Sequence, residues 1–151
     1  MIFERDEYMK LGIYEVLKLA SEQKTKAQKI EVLRKHNTPC LQTILIGAYD
    51  DGVVWLLPET DPPYKPNDLV DQQNIIYTEI RKLYLFVKGG NDTLAQSKRE
   101  KIFIDFLESI DKDDAKVILS IKNKKLPFKN LTKSLIIEAF PESFLAQQKA
   151  E

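Results

Sequence analysis

The sequence predicts an all-α protein, a bundle of five to seven helices with little strand. Three observations carry this. Apolar residues recur at helical spacing, most clearly at Phe103, Ile104, Leu107 and Ile110, and again at Ala115, Ile118 and Leu119. Residues that favour helix starts precede such segments, as Thr25, Pro39 and Asp111-Lys112-Asp113-Asp114 do. Gly and Pro signals at Asp51-Gly52, Gly89-Gly90 and Pro141 separate the segments.

Each element follows in order. Met1 to Asp6 reads as a loose lead-in. A first helix is expected over about Glu7 to Ser21, on Tyr8, Leu11, Tyr14, Val16, Leu17 and Leu19, with Gly12 as an interior weakness. Thr25 caps a second helix reaching about His36. Pro39 opens a third, ending near Ala48. Val53 to Leu57 reads equally as a short strand or a buried helical turn. Pro58 to Pro66 reads as a rigid non-helical crossing that packs on the domain. Gln72 to Lys88 is expected to form a longer helix ended by Gly89-Gly90. Asn91 or Asp92 caps a helix to about Ile110. A second amphipathic helix follows from Asp111, then a lysine-rich turn, then a short helix from Leu131 to Phe140. The tail frays from about Gln147. The chain thus reads as one domain over 1–151, with loose ends at about 1–6 and 147–151.

Composition narrows the function. The 151 residues carry 23 basic and 23 acidic side chains, so no overall field favours nucleic acid or membrane. Any nucleic-acid reading must rest on local clustering. The single Cys40 excludes an internal disulfide and a cysteine-rich zinc site, and beside Leu41 it reads as a buried, inert thiol. Acids near the N-terminus and the lack of a long apolar run argue against a signal peptide or a membrane span, and for an intracellular location.

Catalytic chemistry is not evident. The lone histidine, His36, stands among positive neighbours and reads as a solvated or capping side chain. Asp111, Asp113 and Asp114 read as helix-start residues rather than a divalent-cation site. Gly89-Gly90-Asn91 lacks the lysine and hydroxyl residue of a phosphate loop. No enzyme, no metal and no cofactor are expected.

The local clustering lies in two places. From Lys116 to Lys133 there are six lysines and no acid. Lys122, Lys124, Lys125, Lys129 and Lys133 could surround a phosphate backbone, with Asn130 or Thr132 adding neutral hydrogen bonds. The bland alternative is a solvated turn. The run Lys24 to Lys35 has the same character, and its helix start brings Thr25, Lys26 and Lys29 into the candidate set. Two basic helix entrances on one small chain put phosphate binding level with the solvated surface.

A family resemblance adds to this. Ile13-Tyr14-Glu15-Val16-Leu17, followed by Thr25-Lys26-Ala27-Gln28-Lys29-Ile30-Glu31-Val32-Leu33, resembles the opening of the N-terminal DNA-binding domain of ATP-dependent DNA ligases, particularly the T-even phage type. Asp113 to Leu119, Lys125-Leu126, Leu131 to Ser134 and Ala139-Phe140-Pro141 resemble that domain's closing helices and turn. The order agrees over about residues 10 to 145. The sequence is also similar to small uncharacterised proteins of T-even-like cyanophages, in Leu57-Pro58-Glu59, Pro63 to Pro66 and Lys88 to Asn91. The resemblance implies an all-α domain that grips duplex DNA through phosphates, without sequence readout. It does not imply ligation: no Lys-x-Asp-Gly motif occurs, and Asp50-Asp51-Gly52 lacks the lysine. The turn before the last helix departs from the ligase pattern, with Pro127-Phe128-Lys129-Asn130 where those domains usually have a glycine. Phe128 could wedge at a groove or be buried as an anchor.

The reading from sequence is therefore a non-enzymatic phage accessory protein that binds double-stranded DNA non-specifically, in the host cytoplasm or the virion. The competing reading is a protein-interaction module, a host-modifying factor or virion component, that kept the fold without DNA affinity. Its partner would be a phage or host protein. The discriminating observation is whether the two basic segments share one face.

Overall fold

Most helices in this chain begin where a side chain or a neighbouring element meets their first amides. A computed structural model describes residues 11–144. Helix α1 spans Ile13–Ser21, with Gly12 as its N-cap and the Gly12 N–H donating to Glu15 Oε1 at 2.8 Å. Gly12 thus precedes the helix instead of weakening its interior, and the expected turn at Glu7 to Lys10 lies outside the described residues, as does Tyr8. The two expected loose ends, 1–6 and 147–151, also lie outside them.

Helix α2 spans Lys26–Lys35 and opens on a reciprocal cap between Thr25 and Gln28. Helix α3 spans Pro39–Tyr49, with Thr38 Oγ1 accepting from Leu41 N–H and Pro39 at its first position. Helix α4 is a single turn, Ile76–Glu79, that tightens into a 3₁₀ segment, Ile80–Phe86. Helix α5 spans Gln96–Ser109 and α6 Lys112–Lys122. Helix α7 spans Lys133–Ala139, and Pro141–Phe144 closes the described chain as a 3₁₀ turn. The architecture is all-α, with seven α-helices among the described residues.

Helix α6 is central. It packs against α1, α3 and α5, while α2 packs against α1 and α7. Val117, Ile118 and Ile121 are fully buried along it. Phe86 stands edge-on to Phe103 and Phe106, with centroids 5.1 and 5.9 Å away. Such pairs contribute about 0.5–1.5 kcal/mol each beyond burial.

Two expectations are corrected. The longer helix over Gln72 to Lys88 does not form. Leu56 N–H donates to Phe86 O and Lys88 N–H to Val54 O, each at 2.8 Å, so the chain must leave helical geometry at Val87. Those bonds leave Val53 to Leu57 extended, with one isolated bridge from Trp55 to Val87. Leu83 and Phe86, both buried, match the three-residue turn of a 3₁₀ helix. Helix α5 also starts later than Asn91 or Asp92. Asp92 Oδ1 takes the Gly89 N–H at 2.8 Å, and Asn91 O takes Arg99 Nη2 at 2.9 Å. Both residues hold the loop, and Ala95 is the N-cap.

Gly90 makes this turn feasible, because a Cβ there would lie 1.8 Å from Tyr84 O. Gly90→Ala is expected to destabilise the fold by about 1–3 kcal/mol through that clash. A urea midpoint equal to wild type would show instead that the turn moves aside freely.

The crossing 58–66 is non-helical and packs on the core through Tyr64. It is fastened at both ends. Lys65 N–H donates to Glu108 Oε2 at 2.7 Å, and Lys122 holds the other end. Cys40 is buried, as expected.

Candidate nucleic-acid interface

The two basic segments meet. Asn130 Nδ2 donates to Ser21 O at 2.7 Å, which ties the lysine turn to the end of α1. Helix α2 also lies along α7, where Arg34 Nε donates to Ala139 O at 3.0 Å and Lys26 pairs with Glu138. Segments separated by 109 residues in sequence are therefore in contact.

The candidate residues divide by what their polar ends already hold. Lys122 is enclosed, with its side chain 1% exposed. Its Nζ donates to Pro58 O and Glu59 O at 2.9 Å and to Asn123 Oδ1 at 3.2 Å, and Asp61 lies at 3.7 Å. Burial pulls this ammonium below the usual lysine range, while Asp61 and Glu59 act the other way. Lys124 adopts a left-handed backbone, φ 61°, and turns its ammonium onto Asp50 O at 2.7 Å, Val53 O at 3.2 Å and Gly47 O at 3.3 Å. It closes the C-terminal end of α3, where a cation meets the negative end of the helix. Burial lowers the affinity of Lys124 for its proton, and Asp50 and Asp51 oppose that. The Lys122 ammonium is not placed to reach a phosphate; Lys124 is an exposed residue whose ammonium is already held by three carbonyls.

Thr25 and Thr132 have capping roles. Thr25 Oγ1 takes Gln28 N–H at 3.2 Å, and Thr132 Oγ1 takes Leu135 N–H at 3.3 Å. Helix α7 therefore begins after Thr132, two residues later than expected from Leu131. Asn130 is the stitch to Ser21. Phe128 is half-buried with its ring centroid 5.2 Å from Tyr14, so it is an anchor.

Five lysines remain on this side. Lys26 and Lys133 are in exposed ion pairs, with Glu138 and with Asp51 Oδ1 at 2.8 Å. The Lys133 hydrogen bond holds the Asp51 carboxyl below its ordinary range. Both pairs are open to solvent and screened by salt, so a phosphate can take the place of either acid at little cost. Lys125 and Lys129 are exposed and Lys29 is half-buried.

Sequence reasoning missed the internal use of basic side chains. Arg99 is buried and donates to Leu85 O, Asn91 O and Gln96 Oε1. Like Lys122 and Lys124, it collects carbonyls from loops that cannot satisfy them locally. The one local signal is Asn123-Lys124 directly after a helix, where a left-handed residue commonly sits.

Asp111 Oδ2 accepts from the amides of Asp113 and Asp114, so it caps α6 as expected. Asp114 is buried and serves α1 instead, accepting Tyr14 N–H at 2.8 Å. His36 is half-buried at the C-cap of α2. Among the described residues no three His, Cys, Asp or Glu side chains are grouped to hold a metal ion. No helix among them is long and apolar enough to cross a membrane.

Comparison with known proteins adds a family and no activity. No curated protein and no solved structure matches the chain. A family model covers residues 16–127, from within α1 to the lysine turn, and the chain belongs to that family, described as a family of unknown function (DUF6433).

Proposed function

We propose that the protein is a non-enzymatic accessory protein that binds duplex DNA through its phosphates, without sequence preference. The Asn130–Ser21 contact carries this reading, because it supports a shared surface for the lysine turn, with the exposed Lys125 and Lys129, and the start of α2, with Lys26 and Lys29. Lysine is a flexible point charge, suited to phosphate and poor at fixed base readout. The contact set is Thr25, Lys26, Lys29, Lys125, Lys129, Asn130, Thr132 and Lys133. Lys122, which is buried, and Lys124, which is exposed but has its ammonium held by three carbonyls, drop out of it and act as fasteners. A phage accessory role, in the host cytoplasm or in the virion, belongs to the same reading.

The test is a salt titration of binding to a fixed duplex. Affinity should fall with salt at a slope of roughly −0.9 per phosphate neutralised. Lys125→Ala with Lys129→Ala should weaken binding to all duplex sequences about equally and flatten that slope by about two units. Lys82→Ala, on the 3₁₀ segment, should change neither. A double variant that keeps both affinity and slope would remove these lysines from the contact set and end this reading.

The reading includes the absence of ligase chemistry. No Lys-x-Asp-Gly motif is present to accept a nucleotide. Incubation with ATP or NAD should therefore leave the intact mass unchanged, and a covalent AMP adduct would overturn that expectation.

The second reading, a protein-interaction module without DNA affinity, is favoured by the internal use of Lys122 and Lys124. It takes the lead if the salt titration shows no binding to duplex DNA.

A further inference from the structure

The far end of the molecule has the opposite character. Helices α1 and α6 begin together, where Asp114 meets Tyr14, and the turn after α6 meets the end of α1, where Asn130 meets Ser21. The lysines cluster at the second end. At the first end lies the loop Asn67–Asp71, fixed to the end of α5 by Asn67 Nδ2 donating to Ser109 O at 3.4 Å.

This loop displays apolar side chains to water. Leu69 is 70% exposed and Val70 81%, the two most exposed large apolar residues among those described. The loop around them is held in one shape. Asn67 Oδ1 accepts Leu69 N–H at 3.1 Å, Asn67 Nδ2 donates to Gln72 Oε1 at 3.1 Å, and Gln72 Nε2 donates to Val70 O at 3.1 Å. Asp71 follows in a left-handed conformation, φ 57°. A loop fixed in this way loses little further freedom on binding. An open groove of about 410 Å³ runs beside it, lined by Lys65, Pro66, Asn67, Asp68, Leu69 and Glu108.

Charge identifies the occupant. Asp68, Asp71 and Glu108 flank the apolar pair, against Lys65 and the exposed Lys112 at the start of α6. A nucleic acid is repelled from this end, and an acidic segment equally so. An apolar side chain flanked by lysine or arginine satisfies both features at once.

We propose that the Asn67–Asp71 loop is a docking surface for a short basic segment of a partner protein. The segment covers Leu69 and Val70 with an apolar side chain and sets its cations against Asp68, Asp71 and Glu108. The surface lies away from the lysine side, so docking and phosphate contact do not compete for residues.

Two synthetic amphipathic peptides of equal length test this, one of leucine and lysine and one of leucine and glutamate. Amide shifts of the full chain are followed by nuclear magnetic resonance. The lysine peptide should produce saturable shifts centred on Lys65 to Gln72 and Ser109, and the glutamate peptide should not. Leu69→Ser with Val70→Ser leaves every charge in place and, at such exposed positions, leaves the fold intact. It should weaken the lysine peptide at least tenfold. Unchanged affinity in that variant would reduce the effect to bulk charge and overturn the proposal. Equal binding of the glutamate peptide, or shifts spread over the whole surface, would also overturn it. Sedimentation of the chain alone covers the remaining occupant: a dimer abolished by the same double variant would assign the surface to a second copy and overturn the partner proposal.

Discussion

Lys122→Met is expected to destabilise the protein by about 2–3 kcal/mol, from the loss of charge-assisted hydrogen bonds to groups left without replacements. The ammonium holds Pro58 O, Glu59 O and Asn123 Oδ1 from a side chain that is 1% exposed. Methionine fills a similar volume and offers no donor. The Asp61 carboxylate adds little to the loss, being 60% exposed and 3.7 Å away. The same change at Lys125, which is exposed, should stay within about 0.5 kcal/mol of wild type. Urea unfolding measures both. A local readout goes with it: a glutamate-specific protease should cut after Glu59 faster in Lys122→Met, because the proline-rich crossing loses its fastening to α6. If both lysine variants match wild type in stability, Lys122 is not a structural cation, and it returns to the set of surface charges.

That contrast between Lys122 and Lys125 also marks how far the sequence could be read. Helices α2 and α3 were legible to within a residue or so, because Thr25 and Pro39 act on amides a few positions away. The core face of α6 was legible for the same reason: Ala115 and Ile118 obey the period of the helix itself. The segment Gln72 to Lys88 was not. Its apolar spacing fits a helix, but hydrogen bonds to Val54 and Leu56, some thirty positions earlier, decide where helical geometry must stop. The lysine run was legible as a cluster and not as a site. Lys122, Lys124, Lys125 and Lys129 look alike in a list of charges. Which of them are held in place depends on carbonyls contributed by Gly47, Asp50, Val53, Pro58 and Glu59. Asp114 shows the same limit. Its position in the first turn of α6 suggests an exposed capping residue, and only the packing of α1 across the start of α6 buries it.

Burial of Asp114 makes the stability of this fold depend on pH in the direction opposite to most paired carboxylates. The side chain is 1% exposed. Oδ1 accepts Tyr14 N–H at 2.8 Å, and Oδ2 is buried without a hydrogen-bond partner. Burial pushes the carboxyl from 3.8 up to about 7. The Tyr14 amide opposes this, and the carboxylates of Asp111, Glu15 and Asp113 reinforce it. Gly12 and Gln73 crowd the same corner, so a Cβ on Gly12 would meet Gln73 Cβ at 2.9 Å and Asp114 Oδ2 at 3.1 Å. Tyr77 adds a phenol that donates to Leu11 O and that burial keeps protonated. Between 3.8 and about 7 the folded chain binds a proton at Asp114 that the unfolded chain has lost. Stability from this group is therefore full below 3.8, falls as pH rises through that window, and is level above it. The shift corresponds to an upper bound of roughly 4 kcal/mol. Asp114→Asn keeps an oxygen for the Tyr14 amide and cannot ionise. Carboxylates away from this corner titrate alike in the two proteins, so the difference in unfolding free energy between variant and wild type reports Asp114 together with its coupling to Asp111, Glu15 and Asp113. That difference should move in favour of the variant by about 2–4 kcal/mol from pH 4 to pH 8. If it stays constant across that range, Asp114 is ionised throughout in the folded chain, and its second oxygen must have a partner that stabilises the charge.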